Sequence, residues 1–246
     1  MKAHDPGSNP GRRIYCDKMP SITPNTSIRD FQNFVDEVYG LSNDRHFDLW
    51  DMLSNIERFT MRSLKGLRKK DYNKAKINII ISLSWFSSLL NRLHIDLEDA
   101  VWKRFPYLCS YCATCPCSCK EKKIKSRKRA NVNDLKKPSS LKDFQIMFKK
   151  IYPPEERTME HAVIHLAEEM GEFSEAVLKY TGEHRNELFE EIVSESADIF
   201  SCMISLFNSL DIDAAKELSE MFSNNCHVCH KSPCECSFSF IVNFDS

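Results

Sequence analysis

The chain repeats itself, and that constrains its fold more than any single motif. "SIRDFQ" at 27–32 returns as "SLKDFQ" at 140–145, an offset of 113, and "NRLHID" at 91–96 returns as "NSLDID" at 208–213, an offset of 117. Between them Phe59 matches Phe173 and Leu64 matches Leu178 at an offset of 114, so the second copy has gained a few loop residues. "CSYCATCPCSC" at 109–119 then falls on "CHVCHKSPCEC" at 226–236, again at 117. A unit of this size, present twice, reads as a pair of domains rather than a solenoid.

Apolar residues in both copies recur at helical spacing. The second copy reads as helices near 140–152, 158–180, 184–210 and 213–223, with Ser140 as an N-cap and Gly182 in the turn between the two long helices. The first copy reads as helices near 27–39, 46–67, 72–93 and 96–105. Short connections make neighbours antiparallel, so the expected fold class is all-α, two tandem helical bundles. The expected organisation is a disordered leader over 1–25, a first bundle over 26–119, a linker over 120–139, a second bundle over 140–238 and a tail over 239–246. Six glycines in 246 residues fit this better than a sheet with many tight turns.

Composition excludes little else. Apolar residues make up 42% and charged ones 28%, the balance of an ordinary globular protein, and a net charge of −1 points to no partner. No apolar leader or run of about 18 apolar residues is present, so the expectation is a cytoplasmic chain with no membrane span. The charge is unevenly placed: 120–137 carries nine basic and two acidic residues. This is either a solvated linker or a basic arm that attracts phosphates of a nucleotide or nucleic acid. No aromatic residue interleaves the charges, so base stacking by the arm has no support.

Carboxylates crowd the second copy. In "HLAEEMGEFSEAV" Glu169 and Glu172 stand three apart on a helix whose other face carries Leu166, Met170, Phe173 and Val177. Glu195 and Asp198 repeat the spacing on the next helix. If these helices pack antiparallel, four acids converge, and their repulsion calls for a hard divalent cation. Glu160, Glu175, Glu187 and Glu190 read instead as a solvated face. His165 and His161 lie one and two turns before Glu169 and read as surface or core histidines rather than phosphate or metal contacts.

"LAEEMGEFSEAV" followed by "ELFEEIVSESADIF" resembles the MazG-like all-α nucleoside triphosphate pyrophosphohydrolases. Their signature is Glu-x-x-Glu and then Glu-x-x-Asp, here separated by the 22 residues 173–194. The resemblance covers about 140–222. It implies cleavage of a nucleoside triphosphate between the α and β phosphates, giving a monophosphate and pyrophosphate. Glu169, Glu172, Glu195 and Asp198 would hold Mg²⁺, replaceable by Mn²⁺, and Glu168 would orient or deprotonate the attacking water. The family's final helix often supplies a phosphate-binding cation, whereas "AAKELSEMFSNNC" offers only Lys216. Lys179, Arg185 or the basic arm could take that part.

In the first copy Asn55, Arg58, Asn78 and Ile81 stand where the four acids do, so it is expected to be catalytically dead. Bundles of this family pair, so a tandem chain implies an internal pseudo-dimer with one live site, and chains could associate further. Arg58, with Trp50 or Trp85, would then shape the nucleotide pocket, although packing accounts for both tryptophans.

Both copies also share Cys-x₂-Cys-x₄-Cys-x-Cys. Cys109, Cys112, Cys117 and Cys119, and Cys226, Cys229, Cys234 and Cys236, suit tetrahedral Zn²⁺ in two structural knots, with Pro116 and Pro233 favouring the turn. An iron–sulfur reading through Cys115 fails where Ser232 replaces it, and His227 and His230 remain alternative ligands. A rival to the enzyme is therefore a non-catalytic, zinc-binding module on the same bundle, sensing nucleotides or binding a protein or nucleic acid.

Overall fold

A computed structural model describes residues 21–122, 126–128, 130–155 and 158–245. The first copy is α1 (Ile28–His46), α2 (Leu49–Arg68), α3 (Tyr72–Arg92) and α4 (Leu97–Arg104). The second is α5 (Leu141–Ile151), α6 (Met159–Glu183), α7 (Asn186–Ser209) and α8 (Ala214–Phe222), with α9 (Phe238–Asn243) beyond it. Among the described residues these are the only α-helices, no strand occurs, and no helix is long and apolar enough to cross a membrane.

Local chemistry starts the helices where the sequence places them. Ser27 and Ser140 each accept from the amide three residues on, as do Asp96 and Asp213, so two pairs of equivalent residues cap equivalent helices. The left-handed positions also repeat: Lys70 and His184, His94 and Asp211, Ala113 and His230 have φ between 49° and 60°, and none is glycine. His184 is thus the residue that turns the chain after α6, while Gly182, expected in that turn, stays helical. Gly66 is needed for close approach: a Cβ there would stand 2.8 Å from the backbone nitrogen of Ala75, so its absence lets α2 and α3 close together.

Buried glutamines tie each copy's first helix to its last. Gln32 donates to the Ile95 carbonyl at 2.6 Å and accepts from Leu97 N at 3.0 Å. Gln145 donates to the Ile212 carbonyl at 2.7 Å and accepts from Ala214 N at 3.0 Å. Both amides are buried and paired at each end, which fixes the helix packing.

The copies do not have separate cores. α2 packs along α3 and α6 along α7, but α4 lies against α7 of the other copy and α2 against α6. Phe86 of α3 meets Phe173 of α6 edge-on at 5.4 Å, and Phe222 of α8 sits 5.8 Å from Phe31 of α1. The cysteine loops cross over in the same way. Cys117 N donates to the Ile151 carbonyl of α5 at 2.8 Å, and Cys234 N donates to the Val38 carbonyl of α1 at 2.7 Å. Val38 and Ile151 are equivalent residues, 113 apart. One continuous apolar cluster therefore runs through both copies.

The flanking segments join it. The leader was expected to be disordered over 1–25; residues 1–20 lie outside the described residues, while Ile22 is buried and its amide donates to the Ser223 carbonyl. The C-terminal end of the basic linker is pinned, Asp134 accepting from Trp102 Nε1 at 2.8 Å and Lys137 pairing with Glu98 and Asp99. The stretch expected as a C-terminal tail includes α9, which lies across the first copy.

Candidate metal centre

The apolar stripe of α6 packs Leu166, Met170, Phe173 and Val177 against α7, whose own stripe is buried from Ser196 to Asn208. That packing turns Glu169 toward Glu195 and Asp198, and the three carboxylates offer oxygens that lie within 4.8 Å of one another. Glu172 is exposed and stands outside this triad, but it lines the cleft above it and its charge acts on Glu169 and Glu195.

Removing carboxylates from water while setting them side by side favours their neutral forms. Burial, then the charges of Asp198, Glu172 and Glu195, pushes Glu169 up to about 8. Burial, then Asp198 and Glu172, pushes Glu195 up to about 7. Burial also raises Asp198, against the pull of Arg104. One oxygen of Glu169 and one of Glu195 are buried without any hydrogen-bond partner. Orphaned buried carboxylate oxygens are rare and call for a proton or a cation. The residues present fit an oxygen-seeking divalent ion such as Mg²⁺.

A cation from the other copy already reaches the cluster. Arg104, at the end of α4, grips Asp198 with two nitrogens, Nε on Oδ1 at 3.1 Å and a terminal nitrogen on Oδ2. Arg127 of the basic linker approaches the same oxygen at 3.7 Å. Sequence reasoning missed Arg104 because it sought a cation on α8, at Lys179 and Arg185 or in the basic arm, and not on the last helix of the first copy. The signal was there in "VWKRF", but it became visible only once α4 was known to cross to α7. Lys216, the one candidate on α8, pairs with Glu220 at the surface.

The cleft encloses about 580 Å³, bounded by Arg104, Arg127, Lys179 and a rim of glutamates that includes Glu172 and Glu195. Lys179 pairs with Glu175 at 2.9 Å on that rim. Three other candidates are not brought there. Glu168 is exposed and 3.7 Å from His165. Arg185 pairs with Glu183 in the turn after α6. Arg58 is held by the backbone of α9 over the first copy. His161 and His165 line a separate recess beside Cys117 and Cys119, and Trp50 is exposed on α2.

The ten described cysteines are free thiols. In each quartet the four sulfurs lie within 4.8 Å of one another. Cys109–Cys119, Cys112–Cys117, Cys226–Cys234, Cys226–Cys236 and Cys229–Cys234 are separated by 3.5 to 3.9 Å. Disulfide sulfurs would stand about 2.05 Å apart. Four ligands at ~2.3 Å around a tetrahedral zinc stand ~3.8 Å apart, so both quartets fit Zn²⁺. Cys115 is exposed and outside its quartet. The second loop uses its four cysteines without His227, whose Nδ1 lies 3.2 Å from the Tyr39 hydroxyl.

Comparisons of the chain with protein-family models, with curated proteins and with solved structures found no match.

Proposed function

We propose that the protein is a divalent-metal-dependent nucleoside triphosphate pyrophosphohydrolase with one active site, in the cleft between α6 and α7. The observation that carries this reading is the triad of Glu169, Glu195 and Asp198 with two orphaned buried oxygens, opening onto a cleft bordered by arginines. The likeness of the Glu-x-x-Glu and Glu-x-x-Asp segments to the MazG-like enzymes supports this choice of reaction class.

The side chains divide the chemistry among them. Glu169, Glu195 and Asp198 would hold Mg²⁺, and Glu172 would add a carboxylate from the rim. A bound Mg²⁺ would supply charge neutralisation at the phosphates and lower the pKa of a coordinated water. Arg104 and Arg127 present guanidinium groups, whose planar forks match phosphate oxygens. Arg104 comes from the first copy, so that copy serves the second's site although Asn55, Arg58, Asn78 and Ile81 replace its own acids. In this sense the chain works as an internal pseudo-dimer. The glutamate rim repels a bare polyphosphate, which makes the divalent ion a condition of binding as well as of chemistry. The zinc knots hold the crossed-over arrangement together and take no part in the reaction.

One observation favours a second reading. The two-pronged grip of Arg104 on Asp198 already compensates part of the buried charge, as in a purely structural ion cluster of a non-catalytic binding module. Incubation with each NTP and dNTP plus Mg²⁺ separates the two. The enzyme releases pyrophosphate, and Glu169→Gln and Asp198→Asn each abolish that release while zinc content and helicity stay unchanged. Pyrophosphate release that survives both substitutions would remove the site assignment, and no turnover of any nucleotide would favour the second reading.

A further inference from the structure

The first copy's equivalent of the acidic cleft carries cations in place of acids and is covered by residues 238–245 of the same chain. Arg58, at the position of Glu172, donates to the carbonyls of Val242 at 2.7 Å and Ile241 at 3.3 Å. Arg62, one turn on, donates to the Phe244 carbonyl at 2.8 Å and lies 3.7 Å from the Asp245 carboxylate, which Lys74 approaches at 3.8 Å. The Phe244 ring sits 6.4 Å from Phe59 and 5.9 Å from His227. The covering segment thus offers an aromatic ring among aromatic walls, and carbonyl oxygens followed by a carboxylate against three cations.

The cover fits poorly for a permanent part of the core. A cavity of about 70 Å³ remains beneath it, against Ile81 and Trp85. Arg58 Nε and His227 Nε2 are buried without partners, and so is Ser42 Oγ on the cavity wall. Burial lowers the pKa of Arg58, as expected of a guanidinium whose partners are neutral carbonyls. Arginine binds an anionic oxygen about twice as strongly as a neutral one. A ligand with a flat ring and a phosphate would satisfy these groups better than the segment does.

We propose that this recess is a metal-independent binding site for a nucleoside monophosphate, and that residues 238–245 are its competitor within the chain. The phosphate lies against Arg58, Arg62 and Lys74, the base takes the place of Phe244 between Phe59 and His227, and the segment leaves. No carboxylate of the acidic triad takes part, so the site does not depend on hydrolysis in the other copy.

The test uses the full, zinc-loaded chain in buffer without added divalent ions, titrated calorimetrically with UMP, CMP, AMP, GMP and inorganic phosphate. The double substitution Phe244→Ala, Asp245→Asn loosens the segment and should tighten monophosphate binding about tenfold, by raising the fraction of chains with an open site. Adding Arg58→Met should abolish that binding with helicity and zinc content unchanged. In the unsubstituted chain, a saturating monophosphate should speed amide exchange at 241–245. Four results would overturn the proposal: no monophosphate binding by the folded double variant, binding that Arg58→Met leaves intact, inorganic phosphate binding as tightly as a monophosphate, or exchange at 241–245 that the ligand does not change.

Discussion

The most direct physical test of the acidic triad is the pH dependence of stability without a divalent ion. Glu169 is lifted from its ordinary 4.5 to about 8. Each tenfold change in proton affinity corresponds to ~1.4 kcal/mol, so the displacement of about 8 − 4.5 would be ~5 kcal/mol for a fully buried group. Its side chain is only partly buried, and solvent screening reduces this to ~2 kcal/mol. The sign follows from the direction of the displacement. A carboxyl whose folded pKa is raised contributes stability below its unfolded value, and that contribution is lost as pH rises through 7 to 8, the range of Glu195 and Glu169. Urea unfolding of the zinc-loaded chain should therefore show a loss of ~2 kcal/mol between about pH 5 and pH 8.5 relative to Glu169→Gln. The comparison with this variant matters because His227, whose pKa burial lowers, tilts the curve the other way. Millimolar Mg²⁺ should restore most of the loss at the higher pH and change little at the lower one, since it competes there with protons. Parallel pH curves for the two proteins, or equal stabilisation of both by Mg²⁺, would refute the account of the triad as a cation site awaiting its charge.

Other perturbations probe the remaining contacts. Arg104→Met strands the Asp198 carboxylate and should cost ~3 kcal/mol in metal-free unfolding, a loss that Mg²⁺ reduces. Cys112→Ser should lower zinc from two ions per chain to one by elemental analysis, whereas Cys115→Ser should leave both in place. Gly66→Ala drives a methyl into the Ala75 backbone and should cost ~1–3 kcal/mol, while Gly182→Ala meets open space within α6 and should gain up to ~1 kcal/mol in thermal unfolding.

The helices and the acids were legible because they depend on short-range patterns. Ser140 caps α5 as its position before Asp143 implies, and the spacing of Glu195 and Asp198 alone puts both on the α6 side of α7. The quartets were legible for the same reason, since four cysteines within eleven residues can close on one ion. What could not be read was which copy each element serves. The hydrophobic faces of α4 and α8 have the same pattern whether they fold back on their own copy or cross to the other. Charge composition hid α9 as well: "FSFIVNFDS" reads as a terminal tail until Arg58 and Arg62 are found bound to its carbonyls. Gly182 misled because composition favours glycine at a helix end, whereas His184 takes the left-handed position there, as non-glycine residues do at every described left-handed turn of this chain.

The crossing-over gives the differences between the two copies a paired character. Arg104 grips Asp198 of the other copy, and its equivalent at an offset of 117 is Met221. The equivalent of Asp198 is Ile81. A cation and the acid it faces thus both have apolar residues at their equivalent positions. If α4 folded back on its own copy, Arg104 would face Ile81 and be a buried charge without a partner. Crossing to α7 gives Arg104 the Asp198 carboxylate as a partner instead. Exchanging the pair, Asp198→Ile with Arg104→Met, should therefore be far less destabilising than Arg104→Met alone. A double substitution as costly as the sum of the single ones would mean that the two residues contribute independently, and the crossed arrangement would lose its energetic basis.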